Sequence, residues 1–374
     1  MKVLHVYKTY YPDTVGGVEQ VIRGLAMGGR AQGVAADVLV LSAAVKHPET
    51  LVIDGVTVHR YPTTVDVAST PFSAREARDF GRFIAPYDVL HYHFPWPFGD
   101  VLHALAGHRK PSVVTYHSDI VKQKWLKKAY SPLMNWFLGH VDAIAPTSPG
   151  YLASSVDLVP FRDKCTVIPL GLDPASHPAP DPQAVAAYRE RFGERYFAFV
   201  GVFRYYKGLQ YLIEAASHVA ENIVLMGDGP LRGEYEAEAA RRGLTNLHFI
   251  GLVDEQVKMD ILAGAHAFVF PSHLRSEAFG LGLAEAAMMG KPMISCDIGT
   301  GTSFINLHGE TGLVIPPADP SALAQAMNTL SSDVELATRQ GEAARRRFGQ
   351  MFSLDKMVSA YTALYRRVLA GSKR

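Results

Sequence analysis

A chain of 374 residues is too long for one ordinary hydrophobic core and suits two domains. Its 37 Lys+Arg against 36 Asp+Glu give a formal charge of +1, which gives no support for a nucleic-acid binder working by broad charge neutralisation. Cys165 and Cys296, far apart and without metal-ligand spacing, argue against a disulfide framework and for a reducing compartment. The apolar stretch Val3–Tyr7 is too short for a signal-peptide core, and no apolar run approaches the roughly 20 residues of a membrane span. A cytoplasmic protein, soluble or at most peripheral on a membrane face, is therefore expected.

In chain order, Lys2–Tyr7 reads as a strand, Gly16-Gly17 as a loop and Val18–Arg30 as a helix. Asp37–Leu41, Val89–His93, Ser112–Tyr116 and Ala143–Pro146 read as further strands with helical stretches between them. That alternation predicts a parallel sheet covered on both faces. After Thr166–Leu172, four prolines (Pro174, Pro178, Pro180 and Pro182) follow in quick succession. Proline sustains neither a helix interior nor a central strand, so the segment marks a linker and a domain boundary.

The alternation then restarts. Strands are expected at Tyr196–Gly201, Ile223–Met226, Leu247–Ile250, Ala267–Phe270 and Pro292–Cys296, and helices at Gly208–Ala220, Leu231–Arg242, Asp254–Ala263 and from Leu283. The chain closes with helices at Ser321–Leu330, Val334–Arg347 and Leu354–Ala370. In the last of these, Met357, Val358, Tyr361, Leu364, Tyr365 and Val368 recur at i, i+3, i+4 and i+7 and give one apolar face. Two α/β units joined by a linker imply a cleft between them, where small ligands bind.

The strongest local signal is Ser276-Glu277-Ala278-Phe279-Gly280-Leu281-Gly282-Leu283-Ala284-Glu285, between an apolar strand and a helix. Glu285 stands among apolar and small neighbours, where an unpaired carboxylate would be costly. The bland alternative, a solvated surface Glu, fits those neighbours poorly. Glu277 falls at the carboxyl end of a parallel strand, where open α/β sheets place ligands, and the helix N-terminus beyond it offers N–H groups to a phosphate. A second cluster is Gly201–Gly208, in which Arg204 and Lys207 can clamp a diphosphate; a solvated basic loop is the equal alternative.

His117 follows a strand of the first domain and can donate to a sugar hydroxyl or a phosphate, although a lone histidine is more often structural. Gly16-Gly17 taken alone serves a turn. His91 and His93 share one face of a strand but have no acidic or Cys partner at ligand spacing, so core or cleft histidines are expected rather than a metal. Lys122, Lys124, Lys127 and Lys128 surround Trp125, with Tyr130, Trp136 and Phe137 beyond. Such a segment can lie on an anionic membrane surface, but an exposed helix with a buried apolar side is the preferred reading. No G-x-G-x-x-G follows the first strand, no G-x-x-x-x-G-K-[ST] occurs, and there is no Asp-x-Asp to hold a diphosphate-bound metal.

Together these residues resemble the retaining GT-B glycosyltransferases of group 1 (family 4), almost from end to end. The most specific element is the family's Glu, seven residues, Glu pattern, here Glu277 to Glu285. The resemblance implies two Rossmann-like domains facing across a cleft: residues 1–172 on the acceptor side, 173–355 binding the nucleotide sugar, and a helix at 356–374 crossing back to the first domain. It implies that Glu277 contacts hydroxyls of the donor sugar and Glu285 the nucleotide ribose, with Phe279, Gly280 and Leu281 lining the same site. Arg204 and Lys207 resemble the diphosphate clamp, Gly16-Gly17 the N-terminal diphosphate loop, and Gly229 part of the turn lining the nucleotide pocket. His117 matches the family histidine near the transferred sugar. Where the family commonly carries Arg after the glycine of the clamp, Val202 stands, and Arg204 lies three residues before Lys207.

The implied reaction moves a hexosyl or deoxyhexosyl unit from a nucleotide diphosphate sugar to a glycan or lipid-linked glycan in surface-polysaccharide synthesis. It proceeds with retention, without cofactor, metal or nucleic acid, and by front-face attack rather than through Glu277 as nucleophile. GDP-mannose or a GDP-linked deoxyhexose is the favoured donor, and a UDP-hexose stays open. A non-catalytic nucleotide-sugar-binding protein and a sugar-nucleotide epimerase are the alternatives.

Overall fold

The computed structural model describes residues 1–67, 70–106, 110–120 and 124–371, with every side chain among them except those of residues 124 and 126. Contacts divide the chain into two compact units, Met1–Gly171 with Leu354–Arg374, and Leu172–Ser353.

In unit 1 the strands are β1 (Lys2–Val6), β2 (Ala35–Ser42), β3 (Glu49–Ile53), β4 (Val56–Pro62), β5 (Val65–Val67), β6 (Thr70–Phe72), β7 (Val89–Phe94), β8 (Ser112–Tyr116) and β9 (Ala143–Pro146). Seven of them form a sheet in the order β3-β4-β2-β1-β7-β8-β9, with β5 and β6 a separate pair. Neighbours are parallel except at one edge, where β3 runs antiparallel to β4. That hairpin departs from the expected all-parallel sheet. Its turn is Asp54-Gly55, both at positive φ (50° and 75°), a two-residue turn whose twist matches the flanking strands. Every residue of β7, β8 and β9 is buried, as a sheet covered on both faces requires.

The helix Leu354–Gly371 closes unit 1 with the face expected from its spacing: Met357, Val358, Tyr361, Leu364, Tyr365 and Val368 are all buried. It packs on the helix Gly17–Gly28. A Cβ at Gly28 would stand 2.8 Å from Val358 Cγ2, so the missing side chain lets the two helices approach. Two hydroxyls on the same face reach the sheet: Tyr361 meets Thr115 at 2.6 Å and Tyr365 meets His91 at 2.6 Å.

Unit 2 holds β10 (Phe197–Val200), β11 (Ile223–Met226), β12 (Leu247–Gly251), β13 (Ala267–Phe270), β14 (Met293–Cys296) and β15 (Gly312–Ile315). Their order is β12-β11-β10-β13-β14-β15, parallel throughout. Strand order reverses between β10 and β13, the switch point beyond whose carboxyl ends such sheets bind ligands. The proline-rich segment is a shorter linker than its composition suggests, because Pro182 opens a helix, Pro182–Phe192, capped by the Asp181 carboxylate on the Gln183 N–H. Proline fits there since the first turn has no use for its missing N–H. The two ends of unit 2 meet: Leu172 N–H donates to the Phe352 carbonyl at 2.9 Å, and Leu172 bridges to Ser353.

Candidate active site

The loops leaving β10 and β13, neighbours at the switch point, are joined by a largely buried ion pair. Lys207 Nζ lies 2.5 Å from Glu277 Oε2, with each side chain 11% exposed. Ser272 Oγ donates to the same oxygen at 3.2 Å, and the ammonium sits 4.7 Å from the centre of the Phe270 ring. The backbone holds this arrangement tightly. Gly208, directly after Lys207, has φ of 72°, and a Cβ there would come within 2.0 Å of the Pro271 carbonyl oxygen. Only glycine combines that conformation with that approach. Desolvating both charges offsets most of their attraction, so the pair contributes position more than stability. Arg204 is different: it is exposed, and its side chain has no hydrogen bond or ion pair among the described residues.

Two further segments abut these loops. The Phe203 N–H donates to the Asp228 carbonyl at 2.8 Å, which ties the Lys207 loop to the turn containing Gly229, whose own N–H is held by Asp228 Oδ1 at 2.6 Å. The Gly301 N–H donates to the Ala278 carbonyl at 2.8 Å, so the Gly299–Ser303 segment packs on the Glu277 loop. Gly280 caps the helix Leu281–Met288, whose first N–H groups, at Leu281 and Gly282, have no carbonyl of their own helix to bond. Phe279 is buried against Phe352, their ring centres 6.1 Å apart.

Glu285 is buried but not unpaired. Its Oε1 accepts from Lys258 Nζ at 2.8 Å, and Lys258 also holds Glu255 at 2.9 Å. Burial opposes the Lys258 charge, yet the Glu285 and Glu255 carboxylates outweigh it and raise its pKa above the ordinary lysine value. Sequence reasoning missed Lys258, which lies 27 residues from Glu285 on another helix, and Ser272.

In unit 1, His117 follows β8 and is buried, with Nε2 3.0 Å from His93 Nδ1; His93 Nε2 in turn lies 3.1 Å from His5 Nδ1. Desolvation pushes the pKa of His5 and His117 down to about 3, and that of His93 well below the usual histidine range, so all three rings are neutral. His91 engages both nitrogens, with Tyr365 at 2.6 Å and Thr115 at 2.7 Å. His5, His91 and His93 bring nitrogens within 4.8 Å of one another, but every nitrogen of His91 and His93 already has a partner.

Gly16 and Gly17 open the helix Gly17–Gly28. The Glu19 carboxylate folds back over them, accepting from Thr9 and Thr14 at 2.9 Å each, and lines a cavity of about 670 Å³ with Tyr7 and Lys8. Gly16 and Glu19 occupy the cap and third positions of the helix, a spacing visible in the sequence. In the basic segment, Lys122 lies outside the described residues; Lys127 pairs with Asp157 at 2.6 Å and Trp125 is 86% exposed. Among the described residues no helix is long and apolar enough to cross a membrane.

Residues 15–176 match the model of Glycosyltransferase Family 4, and residues 183–347 that of Glycosyl transferases group 1. The D-rhamnosyltransferase WbpZ of Pseudomonas aeruginosa is 49% identical over 94% of this chain and 92% of its own. The O-antigen chain mannosyltransferase C of Escherichia coli is 48% identical over 99% of each chain. Among solved structures, HepE of Anabaena in complex with UDP-glucose superposes with a TM-score of 0.78 at 17% identity, over 98% of this chain and 100% of that one, and shares the GT-B fold. With matches to both halves and relatives near half-identical over nearly the whole length, this chain belongs to the group 1, family 4 glycosyltransferases.

Proposed function

We propose that this glycosyltransferase moves a manno-configured hexosyl or 6-deoxyhexosyl unit from a nucleoside diphosphate to a growing surface glycan, with retention and without a metal ion. The observation that carries the reading is the largely buried Lys207–Glu277 pair at the switch point of unit 2. Breaking the anomeric C–O bond leaves negative charge on the β-phosphate and positive charge on the sugar. Lys207, the exposed Arg204 and the N–H groups of Leu281 and Gly282 serve the first, as donors already in place before charge develops. Glu277 takes hydroxyls of the sugar, Glu285 the ribose, and Phe279, Gly280, Leu281 and Gly229 line the nucleotide. Residues 173–355 form the donor side, and residues 1–172 with 356–374 the acceptor side.

Gly16, Gly17 and His117 act from that second side, His117 on a sugar hydroxyl or a phosphate oxygen. The acceptor's proton leaves on the departing phosphate in a front-face attack, and Glu277 forms no bond to the sugar. The two relatives named for D-rhamnosyl and mannosyl transfer support the sugar, since D-rhamnose is mannose lacking the hydroxyl at carbon 6. A glycan carried on lipid suits work at the cytoplasmic membrane face, where Trp125 is available for contact.

A panel of nucleotide sugars tests the reading, first by protection against thermal unfolding and then by transfer. GDP-mannose or GDP-D-rhamnose should protect more than UDP-glucose, and the product should keep the donor's anomeric configuration in proton NMR. Binding without transfer to any glycan acceptor would leave a binding protein. Conversion of the donor with no acceptor present would mean an epimerase.

A further inference from the structure

The three imidazoles behind His117 form one continuous line of ring nitrogens, from His5 Nδ1 to His93 Nε2 at 3.1 Å and from His93 Nδ1 to His117 Nε2 at 3.0 Å. A neutral imidazole carries a single N–H, and each of these two contacts needs one proton between its nitrogens. Only two arrangements satisfy both. Either every proton points toward His117, so that His5 and His93 donate from Nδ1 and His117 keeps its own proton on Nδ1. Or every proton points toward His5, so that His117 and His93 donate from Nε2 and His5 holds its proton on Nε2.

The arrangements differ at the buried end. His5 is 1% exposed, and its Nε2 has no hydrogen-bond partner among the described residues. The second arrangement would leave an N–H with no protein acceptor on a ring that is 1% exposed, whereas the first leaves only an unused lone pair, which is the smaller cost. We propose that His5 and His93 are positioning residues for His117, directing the protons of the line outward so that His117 presents Nδ1–H as a hydrogen-bond donor.

The surroundings hold the line in place. His91 stacks on His93 with ring centres 4.4 Å apart and planes at 26°, and is itself fixed at both nitrogens by Tyr365 and Thr115. His117 keeps 8% of its surface exposed, and its Nδ1 has no partner among the described residues. A fixed Nδ1–H suits an oxygen acceptor such as a sugar hydroxyl or a phosphate oxygen. It cannot take a proton there, which rules out His117 Nδ1 as a general base. The inference rests on the proposed role of His117 for its consequence in catalysis, though not for its geometry.

Long-range proton–nitrogen NMR of the full chain labelled with nitrogen-15 histidine reads the tautomers directly. The expected spectrum at neutral pH has His117 and His93 protonated on Nδ1 and bare on Nε2. His93→Phe should convert His117 to a mixture of tautomers and lower kcat by about tenfold, with KM for the donor nearly unchanged. His5→Phe should give a smaller shift in the same direction and serves if the first variant does not fold. A wild-type His117 protonated on Nε2 would overturn the proposal, as would an unchanged tautomer in both variants. Full transfer activity in His117→Ala would sink the catalytic role of His117 instead, and the tautomer spectrum would still decide the direction of the line.

Discussion

The two sheets end in opposite chemistry. At the switch point of unit 2 the loops carry full charges in contact, Lys207 with Glu277 and, one helix away, Lys258 with Glu285. Unit 1 instead gathers four histidines on β1, β7 and the end of β8 and keeps them neutral by burial. Charges suit a leaving diphosphate, whose own charge grows during reaction. Neutral donors suit an oxygen that is to be held without exchange of a proton, and neutral rings cost far less to bury. On the proposed reaction, the same α/β plan would serve two different electrostatic tasks.

Lys207→Ala is the sharpest way to break this comparison. It should lower kcat by roughly 100- to 1000-fold, and weaken binding of the intact donor much less, because its interaction strengthens as the phosphate gains charge. Equal losses in kcat and affinity would reduce Lys207 to a binding residue. On the other side, acid should find the histidines. His5 and His117 titrate near 3 in the folded chain and near 6.5 when unfolded, so the unfolded state binds more protons between those values. Their contribution is complete above pH 6.5 and shrinks as pH falls, by about 1.4 kcal/mol per histidine per pH unit. Urea unfolding from pH 7 to 4 checks the slope, and a flat profile would mean that these rings are not held neutral.

Glu285→Ala should weaken the free nucleoside diphosphate about tenfold, since a ribose contact exists before and during reaction alike. Unchanged affinity in calorimetry would remove the ribose role. Tyr365→Phe should be milder, costing about 1 kcal/mol by leaving His91 Nδ1 without its partner, read as a fall of a few degrees in Tm. The smallest effect is expected from a chelator: EDTA should leave transfer rates as they were. Loss of activity restored by Mg or Mn would point to a metal site.

Much of this was legible because strand and helix periodicity survives in short windows. Ser112–Tyr116, Ala143–Pro146, Ile223–Met226 and Ala267–Phe270 coincide with strands of the structure. The hairpin was legible too, since Asp54-Gly55 between apolar residues is a strong turn signal, but it lay outside the α/β pattern. Pro182 reads as a breaker until Asp181 is recognised as its cap. The partners of the candidate residues were beyond reach for another reason. Lys258 meets Glu285, and His5 meets His93, only through strand order and helix packing, which pair residues 27 and 88 positions apart. Local pattern carries no information at that range.

One consequence concerns the order in which the chain is made. Unit 2 is continuous in sequence and begins and ends at one spot, where Leu172 meets Phe352 and Ser353. Unit 1 is interrupted by it and recovers its last helix only after residue 353. Synthesis runs from the N-terminus, so all of unit 2 is made before the helix that brings Tyr361 to Thr115 and Tyr365 to His91. Until that helix arrives, an apolar strip on the helix Gly17–Gly28 and two polar groups of the sheet have no cover. Unit 1 thus carries an open seam until the eighteen-residue helix Leu354–Gly371 is in place to seal it.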